Sequence, residues 1–168
     1  MRAFPQIHSI YIASRAGELM MPLTRAEIIA GEGIAGDRYA LGLGAFSTTK
    51  PKIRHISLIA LSGIENANSQ LRTRQQPAFG EGDTRRNLVI KGISEEELNS
   101  LVGQIFYLGG IAFKGTELCE PCQRPANLLK RPDFMNAFEN RGGLRAEALD
   151  SGTVSNGDSL TYSSDQEK

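Results

Sequence analysis

The sequence predicts a mostly β protein, a closed or nearly closed β-barrel with short inserted helices. Three observations support the β class. The apolar runs are short, glycines fall between them, and few runs have helical periodicity. Glycine occurs 18 times in 168 residues, which favours many short strands and turns over a helical bundle. Strands at this spacing, with helices inserted between them, suggest a closed or nearly closed barrel.

The strands are predicted from runs of β-branched, aromatic and other apolar residues. In chain order they cover residues 7–13, 54–61, 87–90, 104–108, 111–114, 144–149 and 159–162. Gly109-Gly110 and Asn156-Gly157 are typical turn sequences between neighbouring strands.

The short helices are predicted from capping boxes and from prolines. Two capping boxes place helices after Ser62 and Ser94, each with a glutamate three residues later. Pro125 and Pro132 fit the first position of two further short helices. Thr24 fits a third capping box, but residues 27–30 fit a strand equally well, and periodicity over so few residues leaves both open.

Composition limits the class of protein. Lys+Arg 19 balances Asp+Glu 19, for a net charge of +0, so neither nucleic acid nor a membrane is an expected partner. No apolar run approaches the roughly 20 residues of a membrane helix, and residues 1–5 lack a secretory signal. We expect a soluble, cytoplasmic, single-domain protein over residues 1–168, with its core at about 5–162 and a polar tail at 163–168.

The two cysteines, Cys119 and Cys122, lie in the polar, proline-containing segment 117–125. A closed zinc site needs four ligands, and the two histidines, His8 and His55, are far away in sequence. Both thiols can be buried small side chains. Cys122 also precedes the helix predicted from Pro125, and a helix start favours the thiolate, a ligand for thiophilic metals.

Two polar motifs are candidate binding elements. Arg85-Arg86-Asn87 precedes a strand, and Arg54 and His55 open another. Each is either a solvated strand end or an anion clamp, because arginine forks bind phosphate.

The segment 31–36 matches the dinucleotide fingerprint, but the glycines after it argue against the helix that this fingerprint requires. Two other interpretations of segment 31–36 stay open: a flexible surface loop, or a loop that lines a pocket with Asp37 and Arg38 as its polar groups.

The loop 39–52 is expected to be mobile and to cover the pocket.

Taken in order, six motifs resemble a MOSC domain, the domain at the carboxyl end of molybdenum cofactor sulfurases. They cover residues 33–39, 54–58, 85–89, 101–104, 119–122 and 152–158. The resemblance spans about 5–162 and implies a small stand-alone member with a pyruvate-kinase-type β-barrel that binds the molybdenum cofactor, a pterin dithiolene with a phosphate. No aminotransferase-like domain is present, so no pyridoxal phosphate is expected in this chain.

The resemblance also implies site residues. Cys122 is the expected catalytic residue and metal ligand, and Cys119 matches a position that only some members fill. The expected cofactor-binding residues are Arg86, Asn87, Asp37, Arg38, Arg54 and Cys119.

Three functions follow from the resemblance. The first is reduction of N-hydroxylated compounds on bound molybdenum cofactor, with a small-molecule substrate and electrons from a separate reductase. The second is a sulfur carrier, in which Cys122 holds a persulfide received from a sulfur-donor protein and delivers it to a metal centre. The third is a non-catalytic barrel that binds a small anion.

Overall fold

The computed structural model describes residues 4–45, 47, 53–120 and 123–163. Within that part of the chain, the strands are β1 Gln6–Ile12, β2 Met21–Leu23, β3 Arg25–Ile29, β4 Gly33–Ile34, β5 Ile56–Ala60, β6 Leu88–Lys91, β7 Ile105–Leu108, β8 Ile111–Leu118, β9 Leu144–Ala148, β10 Gly152–Ser155 and β11 Leu160–Tyr162. The α-helices are α1 Leu61–Thr73, α2 Glu95–Asn99, α3 Gln123–Leu129 and α4 Phe134–Ala137, and a 3-10 turn covers Glu81–Thr84.

Eight strands form one strongly curled sheet in the order β11-β7-β8-β9-β5-β6-β1-β2. Its pairs are antiparallel except β5 with β6, which are parallel and joined through α1. The curl brings the start of β1 to the strand at the other end, where Ile7 N donates to Asp158 O at 2.9 Å and Gln6 bridges Ser159. The mostly β class is therefore confirmed. The described residues form a half-barrel and do not show the continuous ladder of a closed one.

A second, three-stranded sheet has the order β10-β3-β4. β3 is the segment for which the sequence left helix and strand open, and it pairs with β10 from Arg25↔Ser155 to Ile28↔Gly152. The strand therefore prevails because its pairing partner lies far along the chain, beyond any local pattern.

The main core fills the inside of the curled sheet. Its fully buried members include Ile10, Leu58, Leu88, Phe106 and Phe113. Burying each such side chain contributes about 1.5–3 kcal/mol.

A second cluster lies on the other face of β5. It packs Ile59 against Ile64 and Leu71 of α1 and against Phe134 and Phe138. Both faces of β5 are thus buried, as expected for a strand of a parallel pair that a helix covers.

The helix starts differ from the sequence prediction in three places. α1 begins at Leu61 because β5 runs directly into it, so Ser62 lies inside the helix and its Oγ contacts Glu95 Oε2 at 2.8 Å instead of capping. Pro125 is the third residue of α3, which begins at Gln123, and α4 begins two residues after Pro132.

The helix after Ser94 is confirmed, with Ser94 Oγ accepting from Glu97 N at 3.1 Å. Among the described residues, no helix is long and apolar enough to cross a membrane. Residues 46 and 48–52 of the predicted mobile loop lie outside the described residues.

Candidate functional site

A buried polar network lies where β1, β5 and β6 meet the turn that follows β4. Asp37 is 0% exposed. Its Oδ1 accepts from Ala13 N at 3.2 Å, from Arg38 Nη1 at 3.1 Å and from Asn87 Nδ2 at 3.3 Å. Its Oδ2 accepts from Tyr39 N at 3.2 Å. A carboxylate out of contact with water needs such partners, because an unpaired buried charge is strongly destabilising.

Asn87 uses its whole amide to join three segments. Its Nδ2 also donates to Tyr11 O at 3.1 Å, while its Oδ1 accepts from Ser57 N at 3.1 Å and lies 3.2 Å from Ser57 Oγ. With both donors and the acceptor engaged inside the protein, Asn87 fixes the start of β6. It thereby holds in place the backbone of the preceding residue, Arg86.

Above this network is a cleft, here called the arginine cleft, whose narrow interior of about 60 Å³ opens to solvent. Among the residues that the structure describes, five arginines line it: Arg38, Arg54, Arg85, Arg86 and Arg145. Among the described lining residues, Glu120 is the one acidic side chain. Guanidinium groups concentrated in a concave site favour an anion, and their forks match oxyanions geometrically.

Hydrogen bonds or ion pairs orient four of these arginines, Arg38, Arg85, Arg86 and Arg145. Arg38 is paired with Asp37, and Arg145 Nη1 lies 2.9 Å from Glu117 Oε1. Arg86 donates through Nε to Gly142 O at 2.7 Å. No hydrogen bond within the described part of the chain engages its two Nη groups. Arg86 therefore offers the cleft its outer donors from a fixed position.

Arg85 has a left-handed backbone, with φ of 60° at the end of the 3-10 turn. A non-glycine residue there carries a strain of about 1 kcal/mol or more. Arg85 Nη1 donates to Glu18 O at 2.7 Å, and Arg38 Nη2 lies 3.4 Å from Arg85 O. These contacts hold the strained residue and tie the loops before β2 and after β4 to the cleft.

The two cysteines differ in what the structure describes. Cys119 is buried at the end of β8, where its N donates to Gly143 O at 2.8 Å. It lines a small cavity that shares Glu120 with the arginine cleft, and it does not line the cleft itself; its predicted cofactor contact stays a prediction. Cys122 lies outside the described residues, and its predicted roles stay predictions. Glu120 and Pro125, which precede and follow it in sequence, both line the cleft.

His55 has a structural contact. Its Nδ1 accepts from Ala148 N at 3.1 Å, and burial lowers its pKa, an effect that the charge of Glu147 opposes. The imidazole is therefore held neutral, and an Nδ1 that accepts leaves the proton on Nε2.

The glycine motif at 31–36 does not form a dinucleotide site. Gly33–Ile34 is strand β4, paired with β3, and turns follow it where the fingerprint requires a helix. Gly33 has φ of +123°, and a Cβ on it would collide with the His55 carbonyl oxygen. The pocket-loop alternative agrees with the structure, because Arg38 lines the cleft and Asp37 supports it from below.

Several lining residues were not predicted. Arg145 lies in β9 and Tyr39 follows the glycine motif, and both line the cleft with Ser57. The alternating burial of β9 could have placed Arg145 on the face opposite the core. No pattern in the sequence around Arg145 indicates that this face of β9 lies next to Arg86. Among the described residues, no group of three or more His, Cys, Asp or Glu could hold a metal ion.

Comparisons with known proteins identify the family and the fold. The MOSC domain family matches residues 32–161, most of the chain. The YuaD protein from Bacillus subtilis is 20% identical, with a TM-score of 0.74 over 95% of this chain and 96% of that one.

Two YiiM structures are also similar. YiiM from Geobacillus stearothermophilus is 15% identical, with a TM-score of 0.68 over 95% and 75% of the two chains. YiiM from Escherichia coli is 18% identical, with a TM-score of 0.65 over 100% and 72%. No curated protein matches the chain. At these identities the structures establish the fold, and the family match establishes that the chain belongs to the MOSC domain family.

Proposed function

We propose that this MOSC-domain protein binds the molybdenum cofactor, with the cofactor's phosphate in the arginine cleft and Cys122 as a molybdenum ligand. We further propose that it reduces N-hydroxylated compounds with electrons from a separate reductase. The observation that supports cofactor binding is the convergence of five arginines on one narrow cleft above the Asp37–Asn87 network. The reduction rests on the family resemblance.

The cleft suits the phosphate of this cofactor in both charge and size. Arg38 and Arg145 are neutralised by their carboxylate partners, whereas the two Nη groups of Arg86 have no hydrogen-bond partner among the described residues. An interior of about 60 Å³ has room for a few water-sized groups, and thus for one phosphate, whereas whole drug-sized ligands fill roughly 300 Å³ or more. The described residues therefore fit the anionic end of the cofactor.

The bound cofactor would supply a metal that passes two electrons to the substrate. Reduction of an N–OH group to N–H breaks the N–O bond, takes up two electrons and two protons, and releases water. The chain's own contribution is binding and positioning. Arg86 would hold the phosphate, Asp37 holds Arg38, and Asn87 holds the strand start that carries Arg86.

The test is the molybdenum content of protein expressed in a host that makes the cofactor. Arg86→Gln should lower molybdenum per chain by about tenfold or more, because a charged hydrogen bond to phosphate contributes about 1.5–3 kcal/mol. The charge-matched control is Arg72→Gln, at an exposed position of α1, which should load like the parent. Equal loading of Arg86→Gln and parent would contradict the proposal.

The same preparations separate the other two functions. Loaded protein, supplied with a reductase, should convert an N-hydroxylated compound to its N–H product. Sulfane sulfur on Cys122 without molybdenum would instead indicate the sulfur carrier. A stable fold that binds inorganic phosphate but neither molybdenum nor sulfur would indicate the anion-binding barrel.

A further inference from the structure

The loop between β1 and β2 forms one wall of the arginine cleft. Ala16 and Gly17 line the cleft, and Glu18 O accepts from Arg85 Nη1 at 2.7 Å. The loop ends at Met20, which directly precedes β2. A displacement of this loop would therefore change both the shape of the cleft and a contact that holds one of its arginines.

Met20 fastens the end of the loop to Arg38. Its Sδ accepts from Arg38 Nη1 at 3.5 Å, and the same Nη1 donates to Asp37 Oδ1 at 3.1 Å. Arg38 Nη2 lies 3.4 Å from Arg85 O. One guanidinium thus joins the thioether of Met20, the buried carboxylate of Asp37 and the backbone of Arg85.

The side chain of Met20 also lies beside the 3-10 turn that carries Arg85. A Cβ on Gly82 of that turn would be 3.7 Å from Met20 Cβ, an ordinary van der Waals distance. Met20 is half-buried, so part of it is in contact with solvent, from which a small oxidant such as hydrogen peroxide approaches. Among the methionines that the structure describes, Met20 is the one with a hydrogen bond to an arginine of the cleft.

Oxidation would change the chemical character of this contact. Hydrogen peroxide transfers one oxygen atom to the thioether sulfur: the S–O bond forms, the O–O bond breaks, water leaves, and the sulfur loses the two electrons that the peroxide gains. A thioether is a weak hydrogen-bond acceptor, whereas methionine sulfoxide is polar. Methionine sulfoxide reductases reverse the step, with electrons from a dithiol.

The added oxygen does not fit the present geometry. With the sulfur 3.5 Å from Arg38 Nη1, an oxygen directed at Arg38 requires the sulfur to move back, and an oxygen directed away places a polar group against packed side chains. Either outcome displaces the end of the loop that provides Glu18 O to Arg85. Because Arg85 has a left-handed backbone, with φ of 60°, loss of that contact favours its relaxation out of the cleft.

We propose that Met20 is a reversible oxidation site that controls anion binding in the arginine cleft, with hydrogen peroxide as the oxidant and the sulfoxide as the state of lower affinity. The inference rests on the proposed function only where that function places an anion in the cleft. It requires neither molybdenum nor a particular substrate.

The experiment measures the Kd of inorganic phosphate before and after treatment with peroxide, in chains that carry Cys119→Ala and Cys122→Ala so that thiol oxidation does not contribute. Oxidation should weaken binding by about threefold or more, the effect of one hydrogen bond, and methionine sulfoxide reductase should restore it. Met20→Leu should remove the response to peroxide. Met21→Leu, at a 65% exposed position, is the matched control and should keep the response.

A second variant tests the same contact without an oxidant, in the chain with both cysteines. Met20→Gln places a carbonyl oxygen close to the position of the sulfur, and it should bind phosphate about threefold or more weakly than Met20→Leu. Peptide mass spectrometry identifies the oxidised methionine, and circular dichroism verifies the fold.

The proposal is overturned if oxidised and untreated protein bind phosphate equally, if Met20→Leu keeps the response, or if Met20→Gln binds like Met20→Leu. Oxidised protein that unfolds overturns it as well, because the loss would not be specific to the cleft. An untreated parent that does not bind phosphate refutes the anion site of the proposed function and this inference together. Phosphate binding that responds to Met20 oxidation in a protein that takes up no molybdenum refutes the proposed function alone.

Discussion

Asn87 and Asp37 lie 50 residues apart in sequence, and Asn87 Nδ2 donates to Asp37 Oδ1 at 3.3 Å. The hydrogen bonds that the described residues make to both side chains come from the protein itself, since Asp37 also binds Ala13, Tyr39 and Arg38 and is fully buried. Their contribution to the cleft is to fix the arginines next to them in sequence. Arg38 and Arg86 are then held in place by contacts below the cleft.

Asp37→Ala should be strongly destabilising. It leaves the Arg38 guanidinium, with a side chain only 8% exposed, without its carboxylate, and breaking a buried pair costs about 3–5 kcal/mol. The matched control is Glu117→Ala, which removes the carboxylate from Arg145 where the two side chains are 30% and 20% exposed. A pair of that exposure contributes about 0–1 kcal/mol. Urea unfolding measures both, and equal losses in the two variants would refute the structural role of Asp37.

Gly143→Ala should also destabilise the protein, so that it unfolds at a lower urea concentration. Gly143 has φ of +87°, and a Cβ would collide with the Leu58 carbonyl oxygen, where β9 begins beside β5. The substitution incurs the left-handed backbone cost of about 1–2 kcal/mol plus displacement of a strand. Gly103→Ala is the control, since Gly103 has φ of +79° but no atom lies within 4 Å of where its Cβ would be. It should lose only the backbone cost. If both variants lose the same free energy of unfolding, the close approach of residue 143 to the Leu58 carbonyl does not contribute to the loss.

His55 should make stability depend on pH. Burial lowers its pKa in the folded state, so below about pH 6.5, the unperturbed value, the unfolded chain binds a proton that the folded chain does not. The stability linked to His55 is therefore complete above about pH 6.5 and is lost as pH falls towards the folded pKa. The free energy of unfolding, measured between pH 7.5 and 5, should fall less steeply in His55→Gln. Identical slopes in the variant and the parent would show that His55 is not the group responsible.

The sequence predicted elements whose signals are local. The Ser94 cap depends on residues 94–97 and was found. The strand predicted at 111–114 is the first half of β8, and pairing with β9 extends it to Leu118. β4 and β10 were missed because they have two and four residues and exist through pairing with β3, which β10 meets from more than 120 residues away.

The residues of the site, too, could be predicted where their signal is local and could not where it depends on pairing between distant strands. Arg86, Asn87 and Arg38 belong to motifs that can be recognised in the chain. Arg145 reaches the cleft only because β9 pairs with both β5 and β8, which no spacing in the sequence reveals. Cys119 was expected in the site from the family resemblance, and the structure places it buried just after β8.

Arg85→Gly and Arg85→Asn should separate anion binding from folding. Arg85 has φ of 60°, a conformation that glycine adopts freely and asparagine tolerates better than other side chains. The backbone relief of about 1 kcal/mol is offset by loss of the hydrogen bond to Glu18 O, which contributes about 1 kcal/mol. The free energy of unfolding of both variants should therefore lie within about 1 kcal/mol of that of the parent.

The cleft loses one of its guanidinium groups in each variant, so binding of inorganic phosphate should weaken, and the increase in Tm that phosphate causes should shrink. Arg74→Gln, at an exposed position at the end of α1, controls for net charge and should keep the full increase. A phosphate-dependent increase as large in Arg85→Gly as in Arg74→Gln would show that Arg85 does not contribute to anion binding.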